Sequence, residues 1–241
     1  MHYEAMSRNA RGKKKGKFWE REYAKPGHFS LSNYPSEDLG KFTRWIERRF
    51  GHRLLNPLAR VLDLGCGNGR NLRTLAENFR MQGLGYDTAR EAIVNAKEYA
   101  TAGLSYEVRT IAPPLPLTDG SFSFVLDMMA SQVLNTAQRQ LLRQEEARVL
   151  RPGGWLFLKV FLLDEDLNAA RMLRDYPTDE SGTYLHPEIK VREHVYTEEE
   201  ITAELEPYFI VHRIAKSHGH LNRGRAHKRR SMCIYAEKKE V

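Results

Sequence analysis

At 241 residues, with 41% hydrophobic and 29% charged side chains, the chain is sized for one or two globular domains and is too apolar for a disordered protein. Its two cysteines, Cys66 and Cys233, belong to no C-x-x-C pair, which argues against a zinc site or a disulfide framework and suits a reducing cytoplasm. No apolar run approaches the ~20 residues of a membrane span, and no apolar core follows the first charges as in a signal peptide.

The formal net charge of +7 is concentrated in two places. Residues 1–17 hold six Lys/Arg against Glu4 alone, and residues 213–230 hold seven Lys/Arg and no acid. The rest of the chain is therefore acidic, and the basic character belongs to two segments rather than to the fold. Such blocks serve anionic partners or act as solvated decoration.

In chain order, residues 1–17 have no apolar periodicity and read as a basic disordered tail. "KFWEREYA" begins a short helix, and "KPGHFSLSNYPS" is a loop broken by Pro26, Gly27 and Pro35. Ser36 then caps a helix that puts Leu39, Phe42, Trp45, Ile46 and Phe50 on one face. Together residues 18–58 read as an N-terminal helical cap. From Arg60 the pattern alternates: strand "RVLDLG", helix "NGRNLRTLAENF", strand "MQGLGYD", helix "AREAIVNAKEYATAG", strand "LSYEVRT". After the turn "LTDGS" follow strand "FSFVLDMM", helix "AQRQLLRQEEARVLR" and strand "GWLFLKVFLL". A late helix, "EEEITAELEPY", precedes two strands, "FIVHRIAK" and "RSMCIYAEKK", that form an antiparallel pair at one sheet edge. The expected fold is α/β: a doubly wound, mostly parallel seven-stranded sheet with an antiparallel last strand, in a domain of residues 59–241.

The stretch "VLDLGCGNGRN" carries Gly65, Gly67 and Gly69 at alternate positions between a strand and a helix, with Asp63 upstream. Bare backbone there lets a ligand approach closely and exposes N–H groups at the helix start. A dinucleotide site needs G-x-G-x-x-G, and its third glycine position is Arg70 here. The spacing therefore argues against a pyrophosphate cofactor. Asp87, at the end of the second strand, is placed to accept hydrogen bonds from ribose hydroxyls.

At these residues the chain resembles the class I S-adenosylmethionine-dependent methyltransferases. "VLDLGCGNGR" is similar to the family's first motif and "GLGYD" to its second. "PLPLTDGSFSFVLDM" resembles the "LPF-D-G-S-F-D" region, and "VLRPGGWLFL" the turn into the fifth strand. The resemblance implies S-adenosyl-L-methionine as cofactor. It implies that Asp63 orients the glycine loop or the methionine amino group, that residues 65–69 (Gly65, Cys66, Gly67, Asn68, Gly69) pass beneath the cofactor, and that Asp87 holds the ribose. The family's acid for the adenine amino group falls in "RTIAPP", so the resemblance leaves that place to Thr110 or to the backbone around Ile111 and Ala112. Asp127 stands at the end of the fourth strand, four residues after the Ser123 that replaces the second acid of "F-D".

Methyl transfer from a sulfonium asks mainly for alignment and exclusion of water, and a general base depends on the acceptor. The fourth strand ends "DMMASQ" rather than in the D/N-P-P-Y/F of amino-group nucleobase methyltransferases, and no Pro-Cys dipeptide exists to attack a pyrimidine. A small anionic acceptor is the expectation, without a metal. Candidate groups around it are Trp19, Tyr23, Phe29 and Tyr34 from the N-terminal segment. His218, His220, His227, Arg223, Arg225 and Lys228 of "SHGHLNRGRAHKRR" join them. Two further readings stay open: an RNA methyltransferase whose basic segments hold phosphates, and a regulatory protein that binds the cofactor without transferring from it.

Overall fold

The computed structural model describes residues 12–29, 32–218, 221–222, 225–226 and 228–240. The run "RVLDLG" has no polar alternation, and accordingly Val61, Leu62 and Leu64 are fully buried in a central strand covered on both faces. Seven elements lead up to and around it: α1 (Gly12–Ala24), α2 (Glu37–Phe50), β1 (Arg60–Leu64), α3 (Arg70–Phe79), β2 (Gln82–Asp87), α4 (Arg90–Glu98) and β3 (Leu104–Val108). Then come β4 (Phe122–Met128), α5 (Thr136–Val149), β5 (Leu150–Phe161), α6 (Leu167–Asp175), β6 (Thr183–Leu185) and β7 (Arg192–His194). The chain ends with α7 (Glu198–Leu205), β8 (Phe209–Lys216), β9 (Leu221–Asn222), β10 (Arg225–Ala226) and β11 (Ser231–Lys238).

The main sheet has seven strands in the order β3-β2-β1-β4-β5-β11-β8. β1 to β5 are parallel, and β11 runs antiparallel to both β5 and β8. This is the expected architecture. Side-chain alternation along the strands feeds two cores. On one face Val61, Phe124, Leu126 and Phe157 meet Leu39, Phe42 and Ile46 of α2, Leu72 and Leu75 of α3 and Ile93 of α4. On the other, Leu62, Val125, Leu156 and Leu158 meet Leu142 of α5 and Ile201 and Leu205 of α7.

The N-terminal segment divides. α2 is part of the sheet's flanking layer, with the Phe42 ring stacked on Phe157 at 4.8 Å and 5°. Ser36 occupies its N-cap position but makes no side-chain cap bond, and its N–H donates instead to Asn71 Oδ1 at 3.1 Å. α1 starts at Gly12 rather than at Lys17, inside the stretch expected to be disordered, and residues 1–11 lie outside the described residues. α4 stops at Glu98, short of the expected Gly103.

Residues 164–197, for which the sequence analysis names no element, form an insertion between β5 and α7. It contains α6 and the antiparallel β6–β7 hairpin. Two three-residue strands are too short to leave an alternation legible in sequence. The insertion is fastened from the far side by the last arginines of the basic block. Arg229 Nε lies 3.4 Å from Asp166, its Nη1 donates to Tyr184 Oη at 2.5 Å, and Arg230 N–H donates to Asp166 at 2.6 Å. No helix among the described residues is long and apolar enough to cross a membrane.

Candidate active site

The glycine loop joins β1 to α3 at the carboxyl end of the sheet, where open α/β folds take their ligands. Gly65, Gly67 and Gly69 have φ of +74°, +54° and +72°, a region that side chains with a Cβ rarely enter. The loop is tied to the end of β2. Gly65 and Cys66 N–H both donate to Tyr86 O, at 2.8 and 2.9 Å. A Cβ on Gly65 would lie 2.5 Å from Ala130 Cβ, and one on Gly69 would lie 2.7 Å from the Tyr106 ring.

Asp87 closes β2 beside this loop. Its Oδ2 accepts from Gly67 N–H at 3.0 Å and its Oδ1 from Ala89 N–H at 2.8 Å. Burial raises its pKa, against the hydrogen bonds from Ala89 and Gly67, which lower it. Asp63 lies one strand over and is buried. Burial first, and then the neighbouring Asp87 carboxylate, push its pKa up to about 7. Its Oδ2 has no hydrogen-bond partner among the described residues. A buried carboxylate oxygen left without a donor is costly unless something cationic or hydrogen-bonding meets it. The methionyl ammonium of S-adenosylmethionine is such a group, and three positive-φ glycines keep the loop's backbone bare, with Ala130, Tyr23 and Tyr106 packed where a Cβ would go. The residues present therefore fit that cofactor.

The remaining predicted residues sort by position. Cys66 is buried, and burial together with Asp63 and Asp87 raises its thiol well above the ordinary range, so it serves packing rather than nucleophilic chemistry. Asn68 turns away from the loop and donates to Ser32 O at 3.2 Å and Asn33 Oδ1 at 3.0 Å. Thr110 accepts from Ala112 N–H at 3.0 Å, and Ile111 is buried in the core beside Leu115. Asp127 is buried at the end of β4 with both oxygens engaged: Oδ1 accepts from Ser131 N–H at 3.0 Å and Oδ2 from Arg143 Nη2 at 2.9 Å. Arg143 also donates to Glu146 at 2.6 Å and Ser131 Oγ at 2.5 Å. Asp127 thus braces the segment after β4. That segment includes Met129 at φ +65° and the Ala130 that meets Gly65.

From the N-terminal segment, Tyr23 reaches the loop and lies against Gly67. Trp19 stacks on Phe29 at 5.5 Å, while Tyr34 is 81% exposed. His218 is exposed. His220, Arg223 and His227 lie outside the described residues, and Arg225 is described only as part of β10. Among the described residues no three His, Cys, Asp or Glu side chains are grouped to hold a metal. The sequence reading missed Arg143 and Glu22. An arginine at a helical core position was the one available signal for the first; nothing in the sequence marks the second.

Residues 61–154 match the family model described as "Methyltransferase domain". Among curated relatives, a fatty-acid O-methyltransferase of Mycolicibacterium smegmatis is 36% identical over 98 residues, 40% of this chain and 35% of that protein. A trans-aconitate 2-methyltransferase of Deinococcus radiodurans is 34% identical over 105 residues, 43% of this chain and 38% of that protein. The first curated relatives matched are spanned over only 30% to 62% of their own length. Among solved structures, a SAM-dependent methyltransferase of Methanosarcina mazei is 26% identical and superposes with a TM-score of 0.65 over 78% of this chain and 95% of that one. The glycine loop, the strand order and these likenesses support a class I S-adenosylmethionine-dependent methyltransferase, whose domain residues 61–154 match.

Proposed function

We propose that the protein transfers the methyl group of S-adenosylmethionine to a small anionic acceptor. The observation that carries the cofactor half is the unpartnered buried oxygen of Asp63, set within reach of the loop that Asp87 braces. In this reading Asp63 takes the methionyl ammonium, Asp87 accepts from the ribose hydroxyls, and the positive-φ glycines keep the backbone bare beside them. The cofactor supplies an already activated methyl group on a sulfonium, so the chain's work is alignment and exclusion of water. α1 lies over the loop from one side, and the insertion meets it through Phe18, Ile189 and Val191.

Two observations support the anionic acceptor. The relatives described above carry carboxylic acids in their names. The block of residues 213–230 is basic and is joined to the insertion where Arg229 pairs with Asp166. Against RNA, Arg229 and Arg230 are committed to Asp166, Tyr184 and Glu165 rather than to solvent. The test is transfer of labelled methyl to a panel of small carboxylic acids and, in parallel, to total RNA. Incorporation into a carboxylic acid supports the reading. Incorporation into RNA alone replaces it, and cofactor binding without any transfer points to a regulatory protein.

A further inference from the structure

The sequence puts Tyr23 among the candidate groups around the acceptor, and in the fold its hydroxyl lies against the glycine loop. A Cβ built on Gly67 would lie 2.3 Å from Tyr23 Oη, so the phenol rests directly on the second glycine of the loop. That glycine faces Asp87, through its N–H, whereas Gly65 faces Ala130 and the segment after β4. The charged side chains acting on the phenol are Asp87, Arg70 and Asp63. No hydrogen bond among the described residues uses its hydroxyl. Burial, and after it Asp87, raise the phenol above its ordinary pKa, so it stays protonated and is a donor rather than a base.

The helix that carries it is held in place. The adjacent Glu22 carboxylate is buried and accepts from Gly27, His28 and Phe29 N–H at 3.0, 2.7 and 2.7 Å, and from His28 Nδ1 at 3.0 Å. Against the desolvation that opposes charge, these bonds hold Glu22 at about 2. Glu20 accepts from Arg90 N–H, at the first residue of α4, at 2.6 Å. Phe18 packs on Ile189 and Val191 of the insertion. α1 is thus a strap pinned at its own C-terminal turn, at α4 and at the insertion, and its one hydroxyl over the loop has a set position.

A zwitterionic ligand end needs an acceptor for its ammonium and a donor for its carboxylate. Asp63 provides the first and lacks the second. We infer that Tyr23 is a cofactor-positioning residue whose hydroxyl donates to the methionyl carboxylate, pairing with Asp63 at the ammonium; this rests on the cofactor reading above. Arg70, beside the phenol, adds positive field for the same carboxylate.

Two probes separate this role from others: S-adenosylhomocysteine, and 5′-methylthioadenosine, which keeps the nucleoside and thioether but lacks the amino-acid end. Tyr23→Phe retains the ring and its packing on Gly67. By calorimetry the variant should bind S-adenosylhomocysteine about tenfold more weakly or worse, as for loss of a hydrogen bond to a charged group, with 5′-methylthioadenosine unchanged. Unchanged binding of both ligands overturns the inference. So does an equal loss for both, which means the hydroxyl only shapes the loop, and so does a gain, which means the phenol obstructs the cleft. If the wild-type protein binds neither ligand, the cofactor reading itself falls, and this inference with it.

Discussion

The amide of Gly67 donates to Oδ2 of Asp87 at 3.0 Å, so the glycine loop and the end of β2 are one mechanical piece. In the proposed reading, the carboxylate that receives the ribose is also the one that holds the glycine loop. Asp87→Ala removes both functions. Its loss should weaken S-adenosylhomocysteine by at least tenfold, since hydrogen bonds to a charged group contribute about 1.5–3 kcal/mol each. 5′-Methylthioadenosine keeps the ribose and should weaken equally, in contrast to Tyr23→Phe. Calorimetry with both ligands checks this, and undiminished affinity would refute the ribose assignment.

Gly65→Ala should damage the fold as well as the site. The position has φ +74°, and the new Cβ would lie 2.5 Å from Ala130 Cβ, a short and stiff neighbour. Backbone strain of this kind costs on the order of 1–3 kcal/mol. The expected result is a lowered thermal midpoint together with lost S-adenosylhomocysteine binding. A variant that melts like the wild type would show that the loop has a conformation other than this one.

Asp63 sets a pH dependence for cofactor binding. Its folded-state pKa is raised to about 7, so as pH climbs from the ordinary carboxylate range to about 7 the group subtracts from stability, because burial opposes its charge. A cationic ligand end favours the charged form. Affinity for S-adenosylhomocysteine should therefore rise between pH 6 and pH 8 and then level off. In Asp63→Asn the affinity should be lower and flat over that range. A flat profile in the wild type would mean that Asp63 does not meet the ammonium.

Arg143 holds together the segment after β4. Fully buried, it bonds Asp127 at 2.9 Å, Glu146 at 2.6 Å and Ser131 Oγ at 2.5 Å. Arg143→Met leaves those carboxylates without their counter-charge, and breaking one partner of a buried pair costs about 3–5 kcal/mol. Urea denaturation should register that loss. Adding Asp127→Asn to Arg143→Met should return part of it, because one stranded charge is then gone. A single variant as stable as the wild type would show that the carboxylates find other partners.

The architecture was legible because it depends on patterns confined to short windows. Val61, Leu62 and Leu64 announce a strand buried on both faces, and the helix periods between strands impose a parallel sheet. The glycine spacing is equally local: three positive-φ turns need three glycines, and Arg70 at the third glycine position of the dinucleotide pattern bears on which ligand fits. What stayed hidden arises from meetings between segments far apart in the chain. Asp127 was readable as a carboxylate at a strand end, but only folding brings Arg143 sixteen positions later onto its oxygen and makes it a brace. Tyr23 was one aromatic among four until α1 was seen to cross the loop, because nothing in an amphipathic helix states which neighbour lies under it. The unpartnered oxygen of Asp63 is likewise a property of its surroundings, since a donor is missing only once every nearby group has been placed. Composition and periodicity decide which faces are buried; the crossing of α1 and the insertion over the carboxyl ends of the strands decides which polar atoms are left to meet a ligand.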